Sequence, residues 1–176
     1  MNIPVLTYSG HVVVRPDQTY RHGQEELYVP DGINLVSWSP ALFLHICKPG
    51  RCIEARFAGR YYDGAEFGIL LYPEDLIDGS EESYASAICL NNTTYFPDFT
   101  EMPATSSVIS SGKVLFKAQM PSEEKIGSAV ETLTRICHIR TGDILALELA
   151  QRETLCTREQ GGASLSFDKI HLSVIF

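Results

Sequence analysis

The sequence predicts a mainly β (α+β) fold with one longer and one short helix. Three observations predict it: many short β-branched or alternating segments bounded by turn residues, only two segments with helical character, and no regular alternation of strand and helix. With 176 residues, the chain is long enough to bury a sizeable core, and we expect a single domain over residues 1–176.

Strand signals recur along the whole chain. Residues 42–47 and 67–72 are almost continuously apolar, which is typical of strands covered on both faces. Residues 114–120 alternate in the character of their side chains instead, as in a strand of a sheet with one face more exposed to solvent. The predicted strands are 11–15, 26–29, 42–47, 67–72, 86–90, 114–120, 144–149 and 170–176, with 104–112 as a loop or weak edge strand.

Two segments read as helices. Residues 53–58 form a brief one that ends before Gly59. The longer helix covers 122–137, where Ser122 is the expected N-cap and two glutamates favour the first turn. Its apolar residues fall at helical spacing, which predicts one buried face.

Composition and charge exclude several classes of protein. A net charge of -8 and few clustered basic residues argue against nucleic-acid binding, because phosphate contacts require Lys and Arg. No apolar run is long enough for a membrane span, and the first residues lack the basic and apolar regions of a signal peptide. We therefore expect a cytoplasmic protein with no membrane partner, whose five cysteines are reduced thiols.

Several short motifs occur in the order found in a known family. They are Trp-Ser-Pro-Ala-Leu at 38–42, the turn Lys-Pro-Gly-Arg-Cys-Ile at 48–53, Gly64 and Gly68 with Asp75, the 122–137 helix followed by Gly-Asp-Ile-Leu at 142–145, and Phe-Asp-Lys-Ile at 167–170. By the order and spacing of these motifs, residues 28–176 resemble the fumarylacetoacetate hydrolase family. The resemblance implies a mixed β-sandwich roll of the family's C-terminal domain type, without its N-terminal lid.

The family also implies a chemistry. Its enzymes hold a divalent metal on three carboxylates and use it to cleave, decarboxylate or isomerise diketo and 2-oxo acids. In this chain the three carboxylate positions are occupied by Ser39, Ala41 and Leu70. Since Mg²⁺ and Mn²⁺ need oxygen ligands and neutralising charge, these residues predict no metal site and no cofactor. Pro40, which lacks an amide hydrogen, predicts an edge or a bend at this point of the strand.

Other expected parts of the family site are also missing. The family places a lysine after the third ligand position, but residues 76–112 contain no Lys or Arg. The loop that grips a substrate carboxylate in the family corresponds to 147–149, where Glu148 would repel an anion. A His-x-x-Glu pair at His22 and Glu25 has the spacing of the family's lid base but lies too close to Ser39, so we expect an exposed turn there.

Five other residues are candidates for a pocket: Arg60, Tyr62, Asp75, Asn91 and Asn92. Arg60 and Tyr62 belong to a polar aromatic cluster that could instead form a helix end, with Arg60 paired to Asp63 or Glu66. His45, inside an apolar run, is interpreted as a hydrogen-bonded core histidine rather than a ligand.

Three functional hypotheses follow. The leading one is a protein of this family that has lost the catalytic set and acts as a binding or assembly partner, as a homodimer or in a heteromer with an active relative. The second is an active metal-dependent hydrolase, decarboxylase or isomerase with Mg²⁺ or Mn²⁺ on relocated ligands; the candidates are Glu54, Glu66, Glu74 and Asp75. The third is an unrelated β-sandwich binding module.

Overall fold

The computed structural model describes residues 1–20, 26–99, 103–167 and 170–176. In chain order the strands are β1 Asn2–Leu6, β2 Val12–Pro16, β3 Glu26–Tyr28, β4 Leu35–Ile46, β5 Tyr62–Pro73, β6 Thr94–Tyr95, β7 Thr105–Ser110, β8 Lys113–Gln119, β9 Ile144–Glu148, β10 Glu153–Thr157, β11 Gly162–Phe167 and β12 Ile170–Ile175. The α-helices are α1 Glu81–Ala87 and α2 Glu123–Ile136, and the 3₁₀ helices are Asp17–Thr19, Ala55–Arg60, Glu74–Leu76 and Arg158–Gln160. None of the helices in these ranges is long and apolar enough to cross a membrane.

The larger sheet has seven strands in the order β2-β1-β9-β4-β5-β6, with β10 also paired to β4. Its centre is the long antiparallel pair of β4 and β5, in register from Val36 opposite Pro73 to His45 opposite Gly64. The pairing of β1 with β9 is parallel, whereas β2 pairs antiparallel with β1. The sheet is therefore mixed, as the predicted fold class requires.

This sheet curls until its two ends meet. The chain that follows β2 reaches β6, where the Thr93 amide donates a 2.9 Å hydrogen bond to the Thr19 carbonyl oxygen. Tyr20 forms a parallel bridge with Thr94 at the same seam. The seven strands thus form a roll with an inner and an outer face.

Apolar residues cover both faces of the roll, which explains the almost continuous apolar runs in β4 and β5. Inside the roll lies one cluster, the inner cluster; its buried members are Ile3, Val5, Ala41, Phe43, Leu70, Tyr72, Ile88, Phe96, Ile144 and Ala146. The outer face packs against α2 through Leu42, Leu44 and Leu145 among others. Elsewhere the outer face packs through Trp38, Ile69 and Leu71 against the second sheet.

The second sheet has five strands in the order β3-β12-β11-β7-β8. It covers the outer face of the roll with Leu165, Phe167 and Leu172 from β11 and β12. Its β7 strand pairs with both β8 and β11, so the segment interpreted as a loop or weak edge strand is an internal strand.

Helix α2 begins where the sequence predicts. The Ser122 side chain accepts a 3.3 Å hydrogen bond from the Lys125 amide, and Glu123 and Glu124 lie in the first turn. Such a cap satisfies an amide that has no partner within the helix. The apolar face of α2 packs on the outer face of the roll and on the 3₁₀ helix Ala55–Arg60.

Two predicted elements differ in the structure. The predicted strand at 86–90 is wrong, because α1 occupies Glu81–Ala87 and is followed by a turn. The Ser80 side chain accepts from the Ser83 amide at 3.1 Å and caps α1, a local signal that the apolar residues after it obscured. The predicted short helix at 53–58 is a 3₁₀ helix, Ala55–Arg60.

The prediction of an edge or bend at Pro40 is also wrong. Pro40 lies inside the central strand β4, opposite Ile69 of β5. On its other side, β9 pairs with Ala41–His45 and β10 with Leu35–Trp38, so Pro40 falls where the neighbouring strand changes. Its carbonyl oxygen accepts a hydrogen bond from the Leu149 amide at 2.8 Å. Neither β9 nor β10 pairs with Pro40, so the missing amide hydrogen of proline costs no strand hydrogen bond.

We predict that Gly127→Ala destabilises the protein by about 1–3 kcal/mol, although alanine favours helices. A Cβ at this position of α2 would lie 2.7 Å from the backbone oxygen of Ala55, so the helix would have to move away from the 3₁₀ helix. The measurement is the free energy of unfolding in urea. Ser128→Ala, at the adjacent exposed position, is the matched control and should stay within about 0.5 kcal/mol of the wild type. Equal stability of both variants would contradict the close approach.

Candidate functional site

The three positions predicted to replace metal ligands lie together on the inner face of the roll. Ser39 is directly opposite Leu70, and Ala41 is two residues along β4, opposite Gly68. Ser39, Ala41 and Leu70 all have 0% exposed surface. The three positions that the resemblance singles out thus lie close together, and their side chains decide what that place can bind.

None of the three positions presents an acidic oxygen to this face. The Ser39 hydroxyl donates to the Ala150 carbonyl oxygen at 2.9 Å, while Ala41 and Leu70 pack in the inner cluster with Phe43 and Phe96. The space beside them is also filled, because a Cβ at Gly68 would lie 2.1 Å from the Tyr95 carbonyl oxygen. The three positions themselves therefore offer a metal ion no anionic oxygen.

A buried arginine supplies a positive charge to this interior. Arg15 of β2 has 0% exposed surface and points into the roll. Its guanidinium donates to the carbonyl oxygens of Thr93 and Leu71, both at 3.0 Å, and to the hydroxyls of Thr93 and Thr94 at 3.1 and 3.4 Å. The Nε atom has no hydrogen-bond partner among the described residues.

Arg15 also lies over the ring of Tyr72, 4.5 Å from its centroid. Tyr72 follows Leu70 on the same face of β5, and its hydroxyl donates a short hydrogen bond to Glu148. Burial raises the pKa of Tyr72 well above its usual value, and the negative charge of Glu148 raises it further, although Arg15 opposes the shift. Tyr72 is therefore a neutral hydrogen-bond donor at physiological pH.

Glu148 lies beside the predicted ligand positions, since it stands opposite Ala41 in β9. Its second oxygen accepts a 2.8 Å hydrogen bond from the Tyr8 amide in the turn between β1 and β2. Both oxygens of Glu148 are thus occupied by donors from the protein.

A second arginine covers the other end of this cluster. The Arg152 guanidinium lies 4.8 Å from the Tyr72 ring centroid and 5.5 Å from that of Tyr84. It is 3.6 Å from a carboxylate oxygen of Glu74, which also accepts a short hydrogen bond from the Ser37 hydroxyl. Two arginines and two carboxylates therefore lie around Tyr72, on and beside the inner face of the roll.

An open groove of about 990 Å³ leads away from this cluster. Strand β2 and the β1–β2 turn form one wall, and α1 with the segment before it forms the other. Glu148, Gln151 and Arg152 lie along it, and its apolar lining includes Val12, Val14, Ile77 and Ile88.

The donor set does not fit Mg²⁺ or Mn²⁺. Within the described ranges, no three His, Cys, Asp or Glu side chains are close enough to share a metal ion. Glu148 and Glu74 are each held by donors of the protein, and two guanidinium groups lie nearby. A hard divalent cation needs several anionic oxygens and is repelled by adjacent positive charge.

The structure does not bring the relocated ligands of the second hypothesis into one cluster. Glu54 pairs with Arg56 at 2.9 Å on the surface, and Glu74 joins the Arg152 cluster. Glu66 is buried in β5 opposite Phe43. Asp75 accepts from the amides of Asn34 and Leu35 at 2.7 and 2.8 Å.

Asp75 has a structural role at its position. Partial desolvation raises its pKa, but the hydrogen bonds from the Asn34 and Leu35 amides outweigh that effect and the net pKa is lowered. The carboxylate therefore stays ionised and fixes the segment that enters β4.

The predicted pocket residues lie on separate elements. Arg60 lies 4.9 Å from the Phe57 ring at the end of a 3₁₀ helix, and Tyr62 begins β5. Asn91 and Asn92 lie in the turn before β6, where Asn92 has a φ of 56° and accepts the Tyr95 hydroxyl at 2.7 Å. Asp75 lies in the 3₁₀ helix Glu74–Leu76 that follows β5, so the five residues come from four separate segments of the chain.

His45 is hydrogen-bonded, as the sequence predicts, but it does not lie in the core. Its Nδ1 is 2.6 Å from the Asp63 carboxylate, and its side chain is 37% exposed. Asp63 thus pairs with His45 in place of Arg60. The His22 and Glu25 pair, and the Asp168-Lys169 turn, lie outside the described residues.

Sequence reasoning missed Arg15, Tyr72 and Arg152 as members of one cluster. A weak signal was present, since Arg15 follows Val13 at the two-residue spacing of the inner face of β2. A charged residue at an apolar position of a strand indicates a buried polar partner. Which residue is the partner depends on contacts with β5 and β6, which the sequence does not reveal.

Comparison with known proteins identifies the fold. No protein-family model matches the sequence. No curated protein matches it either. Solved structures do match: a protein assigned to the fumarylacetoacetate hydrolase family from Yersinia pestis CO92 superposes with a TM-score of 0.75 at 12% identity, covering 99% of this chain and 91% of that one. The fumarylpyruvate hydrolase from Pseudomonas aeruginosa, in complex with Mn²⁺ and pyruvate, gives 0.72 at 14% identity, covering 99% and 88%.

A third structure extends the likeness to an isomerase. The 5-carboxymethyl-2-hydroxymuconate delta-isomerase from Mycobacterium smegmatis has a TM-score of 0.72 at 14% identity, covering 99% of this chain and 77% of its own. The chain therefore has the fold of the fumarylacetoacetate hydrolase family, and the predicted fold class, mainly β with a mixed β-sandwich roll, is confirmed. A β-sandwich of a different fold is ruled out, because these structures share nearly the full length of the chain.

We predict that Arg15→Ala lowers the free energy of unfolding by about 3 kcal/mol or more. The substitution leaves a cavity inside the roll and removes the donor of the buried Leu71 carbonyl. Urea unfolding measures the loss, with the exposed Arg51→Ala as a control that should change stability by less than about 0.5 kcal/mol. A loss for Arg15→Ala no larger than that of the control would contradict the role of this guanidinium.

We also predict that stability falls as the pH rises above 10. Burial raises the pKa values of Tyr72 and Tyr95 above 10.0 in the folded protein, so both stay protonated while their unfolded counterparts ionise. Stability is complete below the unfolded pKa and is lost as the pH rises toward the folded values, by up to about 1.4 kcal/mol per pH unit for each tyrosine. Urea midpoints measured between pH 8 and pH 11 test this. Tyr95→Phe should flatten the decline, whereas Tyr8→Phe at an exposed site should not.

Proposed function

We propose that this chain uses the fumarylacetoacetate hydrolase fold without the family's metal and acts as a binding or assembly partner rather than as a metal-dependent enzyme. The observation that carries the proposal is the set Ser39, Ala41 and Leu70, which is fully buried and lacks any acidic oxygen. The neighbouring fumarylpyruvate hydrolase from Pseudomonas aeruginosa binds Mn²⁺ and pyruvate. The corresponding chemistry needs a Lewis acid that these three side chains cannot hold.

The charges around the site favour the same proposal. A divalent ion near Leu70 would lie on the face that already contains the guanidinium of Arg15. The acidic groups described at this face and its border include Glu148, Glu74 and the buried Glu66, and the first two are hydrogen-bonded or paired with an arginine of the protein. The interior is thus stabilised without an ion, which removes the driving force for binding one.

A role in assembly accords with the exposed edges of the second sheet. Val114 and Leu115 of the terminal strand β8 are 43% and 37% exposed, and Tyr28 of β3 at the opposite end is 64% exposed. Unpaired strand edges with apolar side chains are suited to protein contacts. We therefore propose a homodimer, or a heteromer with an active relative, in the cytoplasm.

We expect Mn²⁺ and Mg²⁺ at millimolar concentration to leave the melting temperature of this protein unchanged. A ligand that binds only the folded state must raise its stability by mass action, so the absence of a site predicts the absence of a shift. The fumarylpyruvate hydrolase from Pseudomonas aeruginosa, measured with and without EDTA, is the positive control. A shift of several degrees at sub-millimolar Mn²⁺ would reject the proposal in favour of an enzyme with relocated ligands.

Turnover provides a second and more direct test of the same proposal. We expect no hydrolysis of acylpyruvates and no decarboxylation of oxaloacetate above the rate without protein, whether or not Mn²⁺ is present. Metal-dependent turnover that is abolished by Glu148→Gln and retained by Glu54→Gln would contradict the proposal and place the activity at the inner face.

A further inference from the structure

We propose that the groove between β2 and α1 binds an extended peptide segment of a partner protein, which adds to β2 as a further strand. This inference rests on the proposed binding role and names the class of partner. Its test does not involve metal, so the two proposals fail separately.

The first argument is that alternate backbone groups of β2 point away from β1 and are free to pair with another strand. Strands β1 and β2 pair antiparallel, with Val5 opposite Val13 and Pro4 opposite Val14. The Thr7 amide donates to the His11 carbonyl oxygen at 2.9 Å, so Thr7 and His11 form a hydrogen-bonded pair. Hydrogen-bonded and non-hydrogen-bonded pairs alternate along an antiparallel ladder, so the next hydrogen-bonded pair is Val5 with Val13. Val13 is therefore bonded to β1, whereas the N–H and C=O groups of Val12 and Val14 point away from it.

The position of Pro4 shows independently which pairs of β1 and β2 are hydrogen-bonded. Proline has no amide hydrogen to donate, so the pair of Pro4 and Val14 must be a non-hydrogen-bonded one. Among the described residues, no backbone hydrogen bond is found for Val12 or Val14 outside the ladder with β1. Val14 is 42% exposed. Two donors and two acceptors are thus presented along the edge of a strand.

The second argument is the shape of the space that this edge faces. The groove of about 990 Å³ is bounded by Val12, Val13 and Val14 on one side and by Tyr84 and Ile88 of the α1 segment on the other. That volume is at the upper end of small-molecule sites, which bury most of a compact ligand. An edge strand facing a helix across an open groove suits a single extended chain, whose backbone bonds to the strand and whose alternate side chains contact the groove walls.

The third argument separates a peptide from a second copy of this chain. If two copies paired through β2, each would carry its own α1 beside the same edge. Two helices and two sheets would then meet in one groove. A separate segment with no sheet of its own meets no such obstacle.

Charge indicates the sequence that such a segment carries. Glu81 and Glu148 line the groove, and the chain has a net charge of -8. Arg152 is the groove's one arginine in the described residues, and it is directed to Tyr72, Tyr84 and Glu74. Electrostatic complementarity therefore favours a segment with β-branched residues at alternate positions and at least one Lys or Arg.

The experiment begins with a random peptide library displayed on phage and selected against the immobilised full chain. Selected peptides are then measured by isothermal titration calorimetry against two variants of one residue. Val14→Pro removes the outward N–H and keeps the pairing with Pro4, whereas Val14→Thr keeps both the N–H and the β-branched shape. We expect Val14→Pro to weaken binding by about tenfold or more and Val14→Thr to leave it nearly unchanged.

A second measurement keeps the test valid if Val14→Pro does not fold. In the wild-type protein, a bound peptide should slow the hydrogen exchange of the Val12 and Val14 amides and leave the amide of Val114, on the distant β8 edge, unchanged. Selection of no peptide, equal affinity for both variants, or exchange protection confined to β8 would overturn the inference. So would a wild-type dimer in sedimentation equilibrium that Val14→Pro dissociates, because a second copy would then occupy the edge.

Discussion

The guanidinium of Arg15 holds the roll together at its seam. A sheet that curls on itself leaves carbonyl oxygens near the junction of its first and last strands, and buried oxygens without donors are costly. Arg15 comes from β2 and reaches the Leu71 and Thr93 carbonyl oxygens beside β6, so one side chain spans the strands that the curl brings together. The planar fork of donors makes arginine, rather than lysine, suited to several acceptors at once. The Arg15 guanidinium also packs on the ring of Tyr72, and the Tyr72 hydroxyl in turn holds Glu148.

The same arrangement gives the charged groups beside the inner cluster partners within the protein. Every charged group described around the inner cluster has a protein partner: Arg15 has backbone oxygens, Glu148 has a tyrosine hydroxyl and an amide, and Arg152 has Glu74 and two aromatic rings. An enzyme site with a metal normally leaves coordination positions or charges to be completed by substrate. Here these charged groups have partners within the protein, the Nε atom of Arg15 excepted, and the open space runs along β2 and α1.

Much of the fold could be predicted because its signals are local. The caps and periodicity of α2 depend on residues within a few positions, and the apolar runs of β4 and β5 reflect burial on both faces. Strand β1 was missed because Pro4 breaks a short pattern, although the proline sits where no donor is needed. The motif positions pointed to Ser39, Ala41 and Leu70, which the structure places on one face. The charge cluster beside them could not be predicted, because Arg15, Tyr72 and Glu148 are distant in the chain and meet only through strand order.

The close approach of Gly68 to the Tyr95 carbonyl has a consequence for protein engineering. Grafting a catalytic ion onto this scaffold by restoring acidic residues at positions 39, 41 and 70 would place new carboxylates against a main chain that already occupies the available volume. A designer would first have to rebuild the backbone of β6 and shorten Phe43 or Phe96, and only then choose the ligands.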